Sequence, residues 1–290
     1  MLTKIKAIAK TFGGLLYFFL VAAAVQTFVF IFAMQKPFTP ENATDKLAAS
    51  VFPLAALIYS IIQSGTFISY ALFRRRKQAD YIAVKVPAGS TFLYIPFIAC
   101  LLLFVSSLFS NLLVFLAKNY AFFQNALEEY NNMILQKINP FAPITILSVV
   151  ILVPIAEELF FRAMVIGELK RFFSLPTVCL ISACLFALAH WNWLQSAYTF
   201  VAGLILAAVY VWTDSIFYSI LLHGFFNLLG SMLPYWINQL NFADAEVIFN
   251  LLIILFAVVG YVYLRKLYRN YRHLQDLKSR TSENESSDWL

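Results

Sequence analysis

The sequence predicts an all-α fold, a polytopic membrane helical bundle of about eight transmembrane helices, on three observations. Of its residues 61% are hydrophobic and only 12% charged, with a mean hydropathy of +0.76, far outside the range of a soluble domain. Apolar runs of the length needed to cross about 30 Å of hydrocarbon, roughly 20 residues each, recur along the chain. Lysines and arginines cluster at alternate ends of those runs, the pattern that sets membrane orientation.

The first span, Phe12 to Met34, follows Lys4, Lys6 and Lys10; its spanning length and lack of a small-residue cleavage site mark it as retained, not a cleaved signal. The second, Ala48 to Phe73, ends in "FRRRKQADYIAVK", and the third covers Thr91 to Ala117. Residues 119–138 then place Phe123, Leu127, Tyr130 and Ile134 at helical spacing, which suits an interfacial helix. The fourth span, Ala142 to Leu169, is followed by Lys170 and Arg171. The fifth, Leu175 to Trp191, and the sixth, Trp193 to Thr213, meet at "HWNW", which leaves little room for a turn. The seventh is Ser215 to Leu233 and the eighth Ala245 to Leu264, with the basic run "LRKLYRNYRHLQDLKSR" after it. The tail "SRTSENESSDWL" is polar enough to be disordered.

This charge distribution predicts a multi-pass protein of a bacterial plasma membrane with both termini cytoplasmic. The net charge of +6 then reports topology and attraction to anionic headgroups; the partners expected are membrane lipids, and no basic, aromatic-interleaved surface points to nucleic acid. Cys100, Cys179 and Cys184 all fall in spans without metal-site spacing and read as small apolar fillers.

Ionisable residues inside the spans are costly in lipid and mark functional interiors. They are few: Glu157, Glu158 and Arg162 in the fourth span, His190 near the end of the fifth, and His223 with Asn227 in the seventh. Residues four apart share a helical face while neighbours diverge by about 100°. Glu158 is therefore expected to pair with Arg162, leaving Glu157 as an unneutralised carboxylate, a candidate general base. Counting about 1.5 Å per residue from the basic ends, Glu157 lies roughly 20 Å deep, His190 roughly 22 Å, His223 roughly 13 Å and Asn227 roughly 19 Å, depths that permit one common site without proving it. Peptide hydrolysis needs a base for water and donors for the developing oxyanion. Glu157 with His190 would activate the water, and His223 with Asn227, as neutral donors, would hold the oxyanion.

Three motifs carry a resemblance. "EELFFR" is similar to EExxxR, "FALAH" to FxxxH and "HGFFN" to HxxxN, in the order found in the CAAX protease and bacteriocin-processing (CPBP, or ABI) family of intramembrane proteases. The resemblance covers roughly Leu147 to Gly230 and implies an eight-helix bundle and a CAAX-type endopeptidase working without a covalent intermediate. It implies the same catalytic roles for Glu157, His190, His223 and Asn227, with Glu158 and Arg162 as structural support and Phe186 as packing. On this reading the chain divides into N-terminal helices and interfacial segment (1–140), protease core (141–235), last helix and basic extension (236–275) and tail (276–290).

The substrate expected is a peptide or protein, with lipidated ones among the candidates. No cofactor is expected; the alternative is a zinc ion held by Glu157, His190 and His223 with one open position, although the H-E-x-x-H pair that would make zinc the default is missing. Two other classes compete. A transporter shows paired halves with broken helices, and the first three spans offer only Gln63 and Asn111. A non-enzymatic immunity or interaction protein would keep the bundle and need no Glu157.

Overall fold

A computed structural model describes residues 2–34, 44–79, 81–86, 89–117, 120, 124–125, 127–128, 143–190, 192–238 and 244–287. The described residues form α1 (Leu2–Met34), α2 (Thr44–Lys77), the single turn α3 (Gly89–Phe92), α4 (Ile95–Ala117), α5 (residues 143–169), α6 (Leu175–Leu188), α7 (Trp193–Thr213), α8 (residues 216–238) and α9 (Ala245–Ser287). The only strand-like pairing among them is one antiparallel bridge, Val84 to Ser215. The chain is an all-α membrane bundle. Each apolar stretch expected to span lies mainly on helix among the described residues. Among the described residues Gly89–Leu116, Trp193–Thr213 and Ala245–Thr281 are each long and apolar enough to cross a bilayer, and Leu175–Leu188 and Ile216–Met232 are shorter apolar helices. Large apolar side chains on α9, among them Leu251, Leu255 and Val262, are exposed, as a lipid-facing helix requires.

Two apolar cores fix the arrangement. One joins α1 and α2 to α5, α6 and α7 through residues such as Leu15, Phe67, Phe160, Met164 and Val178. The other packs α4 against α7, α8 and α9 around Ile98, Leu102, Leu206 and Leu222. At Gly260 the backbones of α9 and α4 nearly touch: a Cβ there would lie 2.1 Å from the Phe97 carbonyl oxygen, so only glycine fits. Residues 81–86 strap the α7–α8 turn, where Lys85 N donates to Asp214 O at 3.1 Å and Ile216 N to Ala83 O at 2.8 Å. Asp214 ends α7 in the left-handed region at φ 53°. Ion pairs of Arg74 and Arg171 with Glu168, the 81–86 strap and the bond from Lys266 Nζ to Tyr94 OH gather the basic flanks of α2, α5 and α9 at one end of the bundle.

Three details depart from the sequence reading. The fifth span stops at Leu188, because Asn192 must be extended (φ −130°, ψ 129°) for its side chain to cap α7 by accepting from Gln195 N. Ala189 and His190 form a turn after the helix, so His190 sits in that turn instead of on the helix. Secondly, α5 is not uniform: it runs Pro143–Ile146, a π turn Leu147–Leu152, Val153–Glu158, a second π turn Leu159–Ile166, and Gly167–Leu169. Pro154 has no N–H to give the preceding turn, and the first π turn ends just before it. A third π turn, Leu228–Met232, interrupts α8. Thirdly, α9 continues to Ser287, through residues whose polarity predicts disorder. Extending a formed helix costs far less than nucleating one, and Glu, Lys and Arg are good helix formers. The interfacial helix expected over 119–138 lies almost wholly outside the described residues.

Candidate active site

The two adjacent glutamates close the Val153–Glu158 segment of α5 and point to different surroundings. Glu158 and Arg162 are both fully buried, with Arg162 Nε 2.9 Å from Glu158 Oε2. Arg162 Nη1 donates to Ser182 Oγ at 2.8 Å, Ser182 passes its own proton to Phe161 O at 2.8 Å, and the guanidinium lies 5.1 Å above the Phe186 ring. On its other side Glu158 accepts from Ser219 Oγ at 2.5 Å and from His223 Nδ1 at 3.0 Å. A buried carboxylate is tolerable only with its lone pairs satisfied and an opposite charge beside it. Here α5, α6 and α8 together meet that condition.

Glu157 is different. Its side chain keeps 29% exposure, and its Oε2 stands 3.6 Å from His223 Nε2, just outside hydrogen-bonding distance. Tyr59 of α2 lies within electrostatic reach of it. His223 is thus held at Nδ1 by the buried carboxylate and faces the open one with Nε2. Ionised Glu158 only accepts, so Nδ1 carries the proton and a neutral His223 would present a lone pair at Nε2. On that tautomer an N–H at Nε2 would require the imidazolium, where the sequence reading expects a neutral donor.

His190 is oriented by its own chain, Nδ1 lying 2.8 Å from Phe186 O. A carbonyl only accepts, so neutral His190 carries its proton at Nδ1 and leaves Nε2 as an acceptor. Phe186 packs among these polar groups. Its ring meets His190 edge to face at 5.0 Å and His223 at 5.6 Å, which brings the two imidazoles to one phenyl ring under Arg162. Asn227, one turn beyond His223, donates Nδ2 to Val149 O at 2.9 Å and retains its second N–H. That bond depends on Gly224, where a Cβ would lie 2.6 Å from Val150 O, so α8 reaches the backbone of α5 only because the side chain is missing. Among the described residues no three His, Cys, Asp or Glu side chains are grouped to share one metal ion, so Glu157, His190 and His223 do not form a ligand cluster in this geometry.

Residues 139–229 match the family model of the type II CAAX prenyl endopeptidases, Rce1-like. Over that stretch, under a third of its length, the chain is similar to the CAAX proteases. Comparison with curated proteins and with solved structures found no match. The matched stretch includes the whole cluster from Glu157 to Asn227, while α1 to α4 lie outside it. Within the matched stretch, sequence reasoning passed over Ser182 and Ser219. Both had a signal: Ser219 precedes His223 by four residues and so shares its helical face, and Ser182 stands in the same way one turn before Phe186. Small hydroxyls are common in apolar helices, and only the contact with a buried charge distinguishes these two.

Proposed function

We propose that the chain is an intramembrane endopeptidase in which Glu157 removes a proton from water as the oxygen attacks the scissile carbonyl carbon. His190, with Nε2 an acceptor, holds the second O–H of that water. The oxyanion that forms receives an N–H from His223 Nε2, in its imidazolium form, and the second N–H of Asn227. Glu157, now protonated, passes its proton to the departing amine, so no covalent enzyme intermediate arises and the base is regenerated. Glu158, Arg162 and Ser219 position His223 and touch no substrate atom.

The observation that carries this reading is the division of labour between neighbours: Glu158 is fully buried and saturated by Arg162, Ser219 and His223, while Glu157 stays open beside the same histidine. A purely structural charge pair has no use for the second carboxylate. The family description extends the proposal to a substrate whose cysteine carries an isoprenoid and which enters from the lipid. Mass spectrometry of membrane peptides from cells making wild type or Glu157→Gln protein tests it. A cleaved membrane peptide present only with wild type supports the endopeptidase, and a prenylated cysteine on it supports the substrate class. Identical peptide sets overturn the reading in favour of a non-enzymatic immunity or interaction protein.

A further inference from the structure

At the basic end of the bundle, roughly 16 Å along α5 from Glu157 at about 1.5 Å per residue, α1, α2 and the end of α5 enclose a cavity of about 380 Å³. Lys10, Arg74 and Arg171 line it with Glu168 and Tyr70, against an apolar wall that includes Leu15 and Phe18. Glu168 is nearly buried and its acceptors are committed. Arg74 approaches it with Nε at 2.8 Å and Nη2 at 3.1 Å, Tyr70 OH donates at 3.0 Å, and Arg171 Nη2 pairs with its Oε2. One carboxylate therefore fixes two guanidinium groups, and Lys10 adds a third cation to the same cavity. The cationic side chains are further held by rings, Arg74 over Tyr81 and Arg171 over Phe172, each at 5.3 Å.

With Lys10, Arg74 and Arg171 set against the single carboxylate of Glu168, the cavity keeps a surplus of positive charge, which matches a phosphate anion. Basic pockets between helices at a membrane's edge sit at the level of lipid headgroups. We propose that this cavity binds a phosphate-bearing anion, either the headgroup of an anionic phospholipid or free phosphate. Leu15 and Phe18 give the cavity an apolar wall beside its cations, which suits the start of an acyl chain below a headgroup. The site lies outside the catalytic cluster and does not rest on the proposed reaction.

The test uses the purified full chain in nanodiscs of phosphatidylcholine alone, of phosphatidylcholine with phosphatidylglycerol, and of phosphatidylcholine with inorganic phosphate at matched ionic strength. Wild type is compared with Lys10→Gln/Arg171→Gln, whose two side chains are exposed, Arg171 to 37%. Native mass spectrometry counts retained phosphatidylglycerol, and the unfolding midpoint reports stabilisation. Wild type should bind phosphatidylglycerol roughly thirtyfold more tightly than the double variant, from about fivefold for each basic side chain near a membrane surface. Lys10→Gln alone, which leaves Arg74, Glu168 and Arg171 in place, should lose about fivefold. Stabilisation of wild type alone by phosphatidylglycerol assigns the ligand as a lipid headgroup, and stabilisation by inorganic phosphate without the lipid assigns free phosphate. If wild type and both variants respond alike to the two probes, the site does not exist.

Discussion

Replacing Glu158 by glutamine keeps the shape of the side chain and removes the charge that holds Arg162, a residue with no exposed surface. The amide also turns one acceptor into a donor facing Ser219 Oγ and His223 Nδ1, both of which now donate to the carboxylate. Breaking a buried pair by removing one partner costs about 3–5 kcal/mol, because the surviving charge is left uncompensated. At about 2–4 °C for each kcal/mol, the unfolding midpoint of the purified protein in nanodiscs should fall by at least roughly 6 °C. Glu158→Gln/Arg162→Met removes the stranded charge and should recover more than half of that loss, since apolar replacement of a whole buried pair is often neutral. A single variant that melts with wild type, or a double variant that melts below the single, would refute the argument that Glu158 is there to hold Arg162 and His223.

Three further expectations follow from the geometry. Asn227→Ala should lower kcat at least about a hundredfold with KM nearly unchanged, the signature of an interaction made only in the transition state; a rise in KM alone would make Asn227 a substrate-groove residue. Gly224→Ala places a methyl group 2.6 Å from Val150 O and should cost roughly 1–3 kcal/mol of stability. Gly65→Ala, with open space around its Cβ, should cost nothing, so equal midpoints for the two variants would contradict the close approach of α8 to α5. Reporter fusions after Arg76 and after Arg171 should report the same, cytoplasmic side, because Arg74 and Arg171 meet on Glu168; opposite sides would break the helix order.

The spans and the polar cluster were readable in the sequence for a simple reason: in a chain this apolar, each charge inside a span needs a partner, and helical periodicity names the candidates. Glu158 with Arg162, and His223 with Asn227 along one face of α8, follow from spacing of four. The π turns in α5 were not readable, because Leu147–Leu152 and Leu159–Ile166 are almost uniformly apolar and show no face whose phase could slip. The turn at His190 was hidden in the same way, since Ala189 and Trp191 extend the apolar run while the stop signal is the capping Asn192 beyond them. Long-range pairings such as Arg74 with Glu168, 94 residues apart, leave no local trace. The helical run to Ser287 shows the reverse error, in which composition was weighed without the cooperativity of a helix already formed upstream.

The account turns on Glu157 as the base that activates water. The direct measurement is the single-turnover rate of cleavage by Glu157→Gln and by wild type in matched bilayers, with the unfolding midpoint recorded on the same samples. General-base catalysis contributes about a hundredfold to ten-thousandfold, so the variant should cleave slower by a factor in that range. Its midpoint should stay close to that of wild type, because Glu157 is partly exposed and its contact with His223, at 3.6 Å, is longer than a hydrogen bond. A folded Glu157→Gln protein that cleaves at the wild-type rate would contradict the mechanism outright.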